Sequence, residues 1–179
     1  MADLRRVYVD TCCLIDLVRV AVGKNDGSDK ANDVWHLKRL MDANRDGEVI
    51  LFTSTLTIAE CRHAGESPPS EAVKSQFTRL LMSGQYVRLV QMTPFIAQDA
   101  RDLSWTHGIN LRGADSVHVA SAIETKCEGL LTADGRMGRV GPHAAALQRF
   151  GLTCQEPRNT VCLPQKYRQQ DILDEQQVH

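Results

Sequence analysis

Residues 7–17 read VYVDTCCLIDL, and the change of character inside this stretch decides the fold. Arg6–Val9 is short, apolar and rich in β-branched and aromatic residues, which marks a buried strand. Thr11 then offers a capping hydroxyl, and CCLIDLVRVAV is apolar nearly all round, as a helix buried in a core must be. A buried strand that passes at once into a buried helix opens a βα unit.

Working outward, the same alternation repeats. Strands are expected over Glu48–Phe52, Tyr86–Val90, Leu130–Thr132 and Leu152–Gln155. Between them, a helix carries Trp35, Leu37, Leu40 and Met41, and Ser54 and Thr55 cap one that runs through Glu60. Ser70 caps another that ends near Met82, after the break at Pro68-Pro69. Thr93-Pro94 starts a helix that Gly108 ends, and Gly113 opens GADSVHVASAIETKC. Strands alternating with helices predict an α/β fold: three layers, with a mainly parallel central sheet flanked by helices.

The 179 residues suit one domain over 1–157, followed by a polar, glutamine-rich tail over 158–179. Hydrophobic residues make up 42% of the chain, enough for a core, yet there is no apolar run of membrane-spanning length and no signal-peptide core near the N-terminus. The expected location is the cytoplasm. None of the six cysteines forms a C-x-x-C pair, so free buried thiols are expected rather than a zinc site or a disulfide frame. A net charge of −1 excludes a polycation but not a local basic surface. Such a surface is available between Asp134 and Gln170, where Arg136, Arg139, Arg149, Arg158, Lys166 and Arg168 face only Asp134 and Glu156.

In parallel α/β sheets, sites form beyond the carboxyl ends of the strands. Four acids fall there. Asp10 ends the first strand, Glu60 lies on the helix after the second, Asp115 sits in the first turn of its helix, and Asp134 follows the strand ending at Thr132. Each alone has a plain explanation as a cap, a dipole partner or a turn residue. Together they form a carboxylate cluster that cannot ionise fully without a cation. Oxygen-only donors select Mg²⁺ or Mn²⁺ over zinc, and such an ion suits phosphodiester hydrolysis.

The segments VYVDTCCLIDL, TSTLTIAE, GADSVHVASAI and LLTADGRM, in that order, resemble the PIN domain over about residues 5–157. The chain is most similar to the VapC-type toxins of prokaryotic toxin–antitoxin pairs. That resemblance implies a PIN-like fold and an Mg²⁺- or Mn²⁺-dependent endoribonuclease acting on RNA, with a homodimeric state and a small protein antitoxin. By motif match, Asp10, Glu60, Asp115 and Asp134 take the metal-binding acidic positions, and Thr11 the supporting hydroxyl. Three features depart from the toxins: Cys12 stands where serine or asparagine is common, the loop Gly23–Lys30 is long, and the tail is extra.

Lesser candidates are Asp16, as a supporting ligand or a partner of Arg19, and His118, as a general acid or a packed histidine. Arg136 and Arg139 are candidates for holding substrate phosphate. Trp35 and Trp105 fit apolar helix faces better than base-stacking platforms. The competing functions are a PIN nuclease of RNA processing or decay without an antitoxin, and an inactive PIN-like binding domain. A phosphatase-like hydrolase of the aspartyl-phosphate type lacks its second aspartate, since Asp10 is followed by Thr11 and Cys12.

Overall fold

The computed structural model describes residues 4–24, 27–135, 137 and 143–169. Arg136, Arg139 and the end of the tail from residue 170 lie outside the described residues. The elements run β1 (Arg5–Val9), α1 (Thr11–Ala21), α2 (Ser28–Arg45), β2 (Val49–Ser54), α3 (Leu56–Glu60), α4 (Glu71–Met82) and β3 (Arg88–Val90). They continue α5 (Pro94–Trp105), α6 (Gly113–Glu124), β4 (Gly129–Leu131), α7 (Ala144–Gln148) and β5 (Thr153–Gln155).

The strands form one sheet in the order β3-β2-β1-β4-β5, and every pair is parallel. Parallel sheets are covered on both faces, and β1 shows how. Val7 and Val9 point into a core built with Leu14, Leu37, Leu40, Val73 and Leu80 from α1, α2 and α4. Tyr8, between them, points the other way, among Leu103, Val119 and Leu147 from α5, α6 and α7. Each fully buried aliphatic side chain contributes about 1.5–3 kcal/mol, so this central strand anchors both layers.

The chain leaves β1 toward β2 and β3 on one side and returns to β4 on the other. The gap between the carboxyl ends of β1 and β4 is therefore the switch point of the sheet, where parallel α/β folds place their ligands. Asp10 lies directly above it, its N–H donating to Leu131 O at 2.9 Å.

Local details differ from the sequence reading. Asp10, not Thr11, caps α1: its side chain accepts from Thr11 N, which frees the Thr11 hydroxyl for other work. Thr55 makes no side-chain cap to α3. Its hydroxyl accepts instead from Met92 N at 3.3 Å, and Ser54 Oγ takes Leu56 N at 3.1 Å. Trp105 is not on an apolar helix face. It is 74% exposed, because Ile96, Ala100 and Leu103 define the buried stripe of α5, and the Arg101 guanidinium lies 4.3 Å from its ring centre. Trp35 is half-buried on α2, with Arg39 near its ring.

Packing continues past Pro157. Arg158 gives its backbone N–H to Asp33 Oδ1 at 2.9 Å and its guanidinium to Asp33 Oδ2 at 3.2 Å, fastening this segment to α2. Cys162 and Leu163 are each 1% exposed and belong to the same core as β1 and α1. All six cysteines are free thiols, four of them buried. Among the described residues no helix is long and apolar enough to cross a membrane.

Candidate active site

The site grows from the end of β1. Asp10 is 6% exposed, and a carboxylate so buried needs donors. It has three. Thr11 N lies 2.7 Å from Oδ1, while the Thr132 hydroxyl at 2.8 Å and the Cys12 thiol at 3.2 Å reach Oδ2. Cys12 also accepts the Ala133 N–H at 3.3 Å, and Thr132 Oγ1 accepts that of Asp134 at 3.0 Å. These contacts tie the exit of β4 to that of β1. Cys12 thus links the Asp10 carboxylate to the exit of β4 through its thiol. Its neighbour Cys13 is buried, and the contact with Cys12 and burial push its thiol well above the ordinary value.

Glu60 is the last residue of α3, with a side chain 29% exposed. Its Oε2 accepts the Thr11 hydroxyl at 2.5 Å and faces His118 Nε2 at 2.8 Å. Behind Thr11 the hydroxyls continue inward, to Thr57 at 3.1 Å and from Thr57 to Thr53 at 2.8 Å. His118 is 1% exposed; its Nε2 also stands 3.3 Å from Thr11 Oγ1 and 3.8 Å from Asp10 Oδ1, and Tyr8 Oη lies 2.8 Å from its Nδ1.

This cluster sets its own protonation. The His118 hydrogen bond holds the Glu60 carboxyl below its ordinary value; partial burial opposes this, and the Thr11 hydroxyl assists it. For His118, burial is the largest influence and disfavours the imidazolium. The Glu60 hydrogen bond and the charges of Asp10, Glu60 and Asp115 outweigh it, so the ring ends above its ordinary value. Burial, reinforced by the Asp10 charge, raises the Tyr8 phenol and keeps it neutral.

Asp115 and Asp134 are both half-buried. Asp115 lies in the first turn of α6, one turn before His118, and enters the cluster through its charge on that ring. Asp134 enters through its backbone bond to Thr132. The structure therefore joins Asp10 and Glu60 in one hydrogen-bonded cluster, with Asp115 acting on the His118 ring by its charge and Asp134 bonded through its backbone to Thr132. Among the described residues, no three His, Cys, Asp or Glu side chains stand together at metal-holding spacing. Asp16 belongs elsewhere: Lys30 Nζ is 3.1 Å from its Oδ1.

The donor chemistry still fits a hard divalent cation. Mg²⁺ keeps several waters and is held by one or two carboxylates, and Asp10 and Glu60 are two linked carboxylates, of which Glu60 is held in its ionised form. Sequence reasoning missed Thr132, which looks like any strand-exit threonine. It saw His118 but not that the ring spans Tyr8 and Glu60.

The PIN domain family model matches residues 7–141, and the chain belongs to this family. No curated protein matches it. Solved structures to which this chain is similar at low identity include the following two. The crystal structure of FitAcB from Neisseria gonorrhoeae is 16% identical, with 86% of this chain and 99% of that one covered at a TM-score of 0.49. The structure of FitAB bound to an IR36 DNA fragment is 14% identical, with 86% and 96% covered at a TM-score of 0.53.

Proposed function

We propose that this PIN-domain protein is a divalent-metal-dependent endoribonuclease that hydrolyses RNA phosphodiester bonds, and that it is the toxin of a toxin–antitoxin pair. The observation that carries the reading is the buried Asp10 carboxylate at the β1/β4 switch point, linked through Thr11 to the ionised Glu60. Asp10, Glu60, Asp115 and Asp134 would hold Mg²⁺ or Mn²⁺. Bound there, the ion supplies Lewis acidity at the phosphoryl group and makes water a better nucleophile.

The chain's own residues do the positioning. Asp10 is held in place by three donors at the end of β1. Thr11 orients Glu60. Arg136 and Arg139 are assigned to the substrate phosphate, from their place beside Asp134 in the sequence. The cytoplasm is the assigned location.

The toxin role rests on the similarity to VapC-type proteins, and it implies a small protein antitoxin. A homodimer is part of the same reading.

The test is incubation of the purified chain with a panel of RNAs in Mg²⁺ or Mn²⁺, with and without chelator, beside Asp115→Asn. Cleavage that stops with chelator and in the variant supports the reading. Cleavage that survives either one sinks it, and no cleavage of any RNA leaves a PIN-like binding domain. Expression of the chain alone should slow its host, with relief by Asp10→Asn. Unchanged growth at confirmed expression favours an RNA-processing nuclease without an antitoxin.

A further inference from the structure

We propose that Tyr8 and His118 form a buried relay that positions Glu60, so that one strand, β1, sets both carboxylates of the site: Asp10 directly, and Glu60 through Tyr8 and His118. The inference rests on the nuclease reading for what Glu60 is positioned to do.

Glu60 needs outside support. It ends a helix of five residues, far shorter than the roughly 12–15 needed for a helix to hold itself together in water. Two groups fix its carboxylate, Thr11 Oγ1 and His118 Nε2, and both meet the same oxygen. Thr11 is the first residue of α1 and moves with Asp10. His118 comes from α6, across the sheet.

His118 in turn is oriented by Tyr8. With Nε2–H donating to Glu60, Nδ1 of the neutral ring accepts the Tyr8 O–H; in the imidazolium, Nδ1–H donates to the phenol oxygen. Either way the 2.8 Å contact fixes the plane of the imidazole, and the two rings meet edge to face at 60°. Tyr8 cannot drift, because its strand neighbours Phe52 and Leu130 hold it in register on both sides and it is fully buried. A phenylalanine would fill the same apolar space, while a buried hydroxyl is costly unless it is bonded. The hydroxyl meets His118 Nδ1 at 2.8 Å and also interacts with the Ser54 backbone and the Ser121 and Thr53 side chains, which help to aim it at the ring. A group that orients a ligand's partner typically affects metal affinity or activity by about 10–100-fold.

The experiment uses the full chain and the variants Tyr8→Phe, His118→Ala, His118→Gln and Tyr8→Phe/His118→Ala. Folding is checked by circular dichroism, Mn²⁺ affinity by electron paramagnetic resonance of the free ion, and RNA cleavage by separate kcat and KM. His118→Ala should weaken Mn²⁺ binding by about 10–100-fold and lower kcat more than it raises KM. His118→Gln should recover part of the loss, since its amide N–H can donate to Glu60. Tyr8→Phe should show a smaller loss, and the double variant should be no worse than His118→Ala, because Tyr8 acts only through the ring. Wild-type Mn²⁺ affinity in His118→Ala overturns the relay, as does a double-variant loss equal to the product of the single losses. Where His118→Ala does not fold, wild-type affinity in both Tyr8→Phe and His118→Gln overturns it.

A wild type that neither binds Mn²⁺ nor cleaves RNA sinks the nuclease reading instead. The relay is then read from the downfield imidazole N–H proton of His118 by NMR. Its loss in both Tyr8→Phe and Glu60→Ala supports the relay, and its persistence in both overturns it.

Discussion

Thr132 Oγ1 lies 2.8 Å from Oδ2 of Asp10 and takes the N–H of Asp134 at 3.0 Å, so a single hydroxyl ties the exits of β1 and β4 across the switch point. A hydrogen bond to a charged group contributes about 1.5–3 kcal/mol. Thr132→Val keeps the shape and removes the donor, so it should destabilise the fold by about that amount, whereas Thr132→Ser should lose much less. Denaturant melts of the three proteins check this. A valine variant as stable as wild type would show that Asp10 draws its support from Thr11 and Cys12 alone.

The Glu60–His118 pair should shape stability against pH. Glu60 is held below its ordinary 4.5, so its contribution is complete above that value and fades as pH falls through the lowered folded value. His118 is held above its ordinary 6.5, so its contribution is complete below 6.5 and fades as pH rises through the raised folded value. Both are complete between 4.5 and 6.5. Melting temperatures taken from acid to neutral pH should decline above that window in the wild type, and His118→Gln should flatten the decline. An identical decline in the variant would assign it to another group.

Metal addition and removal give a further sign test at Asp134. Mg²⁺ should raise the melting temperature of the wild type by mass action, as RT ln(1 + [L]/Kd) describes, and Asp134→Asn should gain less. Melts of both proteins in EDTA and in Mg²⁺ measure the difference. Equal gains would remove Asp134 from the ion's surroundings.

Much of this was legible in the chain. The run into Asp10 gave β1 and α1, because a buried strand and a buried helix both declare themselves by composition. Caps with a clear mechanism were also readable: Ser70 accepts from Val73 N, and Thr93 from Ile96 N, ahead of Pro94. Asp10 and Glu60 could be placed on one sheet edge because the carboxyl ends of parallel strands and the helices that follow them share it. What could not be read depends on contacts between residues far apart in sequence. Thr132 matters because β4 pairs with β1, and the Tyr8–His118 contact spans 110 residues. Trp105 was misplaced because it lies on the face of α5 opposite the buried stripe of Ile96, Ala100 and Leu103, which residue type alone did not reveal.

The segment after Pro157 makes the same point and yields a prediction. Cys162 and Leu163 belong to the apolar run Val161–Leu163, too short to show a periodicity that would mark it as core, yet both are buried. Ending the chain after Arg168 keeps both side chains and the Arg158–Asp33 clamp. Ending it after Pro157 removes both side chains and the Arg158–Asp33 clamp, and should cost about 2–5 kcal/mol, the range for emptying a core leucine site. Thermal melts of the two truncations decide it, and equal stability would show that the segment only covers the surface.

The central claim is that the carboxylates at the β1/β4 switch point hold a divalent cation. Anomalous diffraction from crystals soaked in Mn²⁺ tests this most directly. The account predicts a peak within coordination distance, about 2.1 Å for a small hard cation, of Asp10 and Glu60 oxygens, and its loss in Asp10→Asn. A well-ordered Mn²⁺ bound elsewhere, or a soaked crystal with no peak beside Asp10, would contradict it.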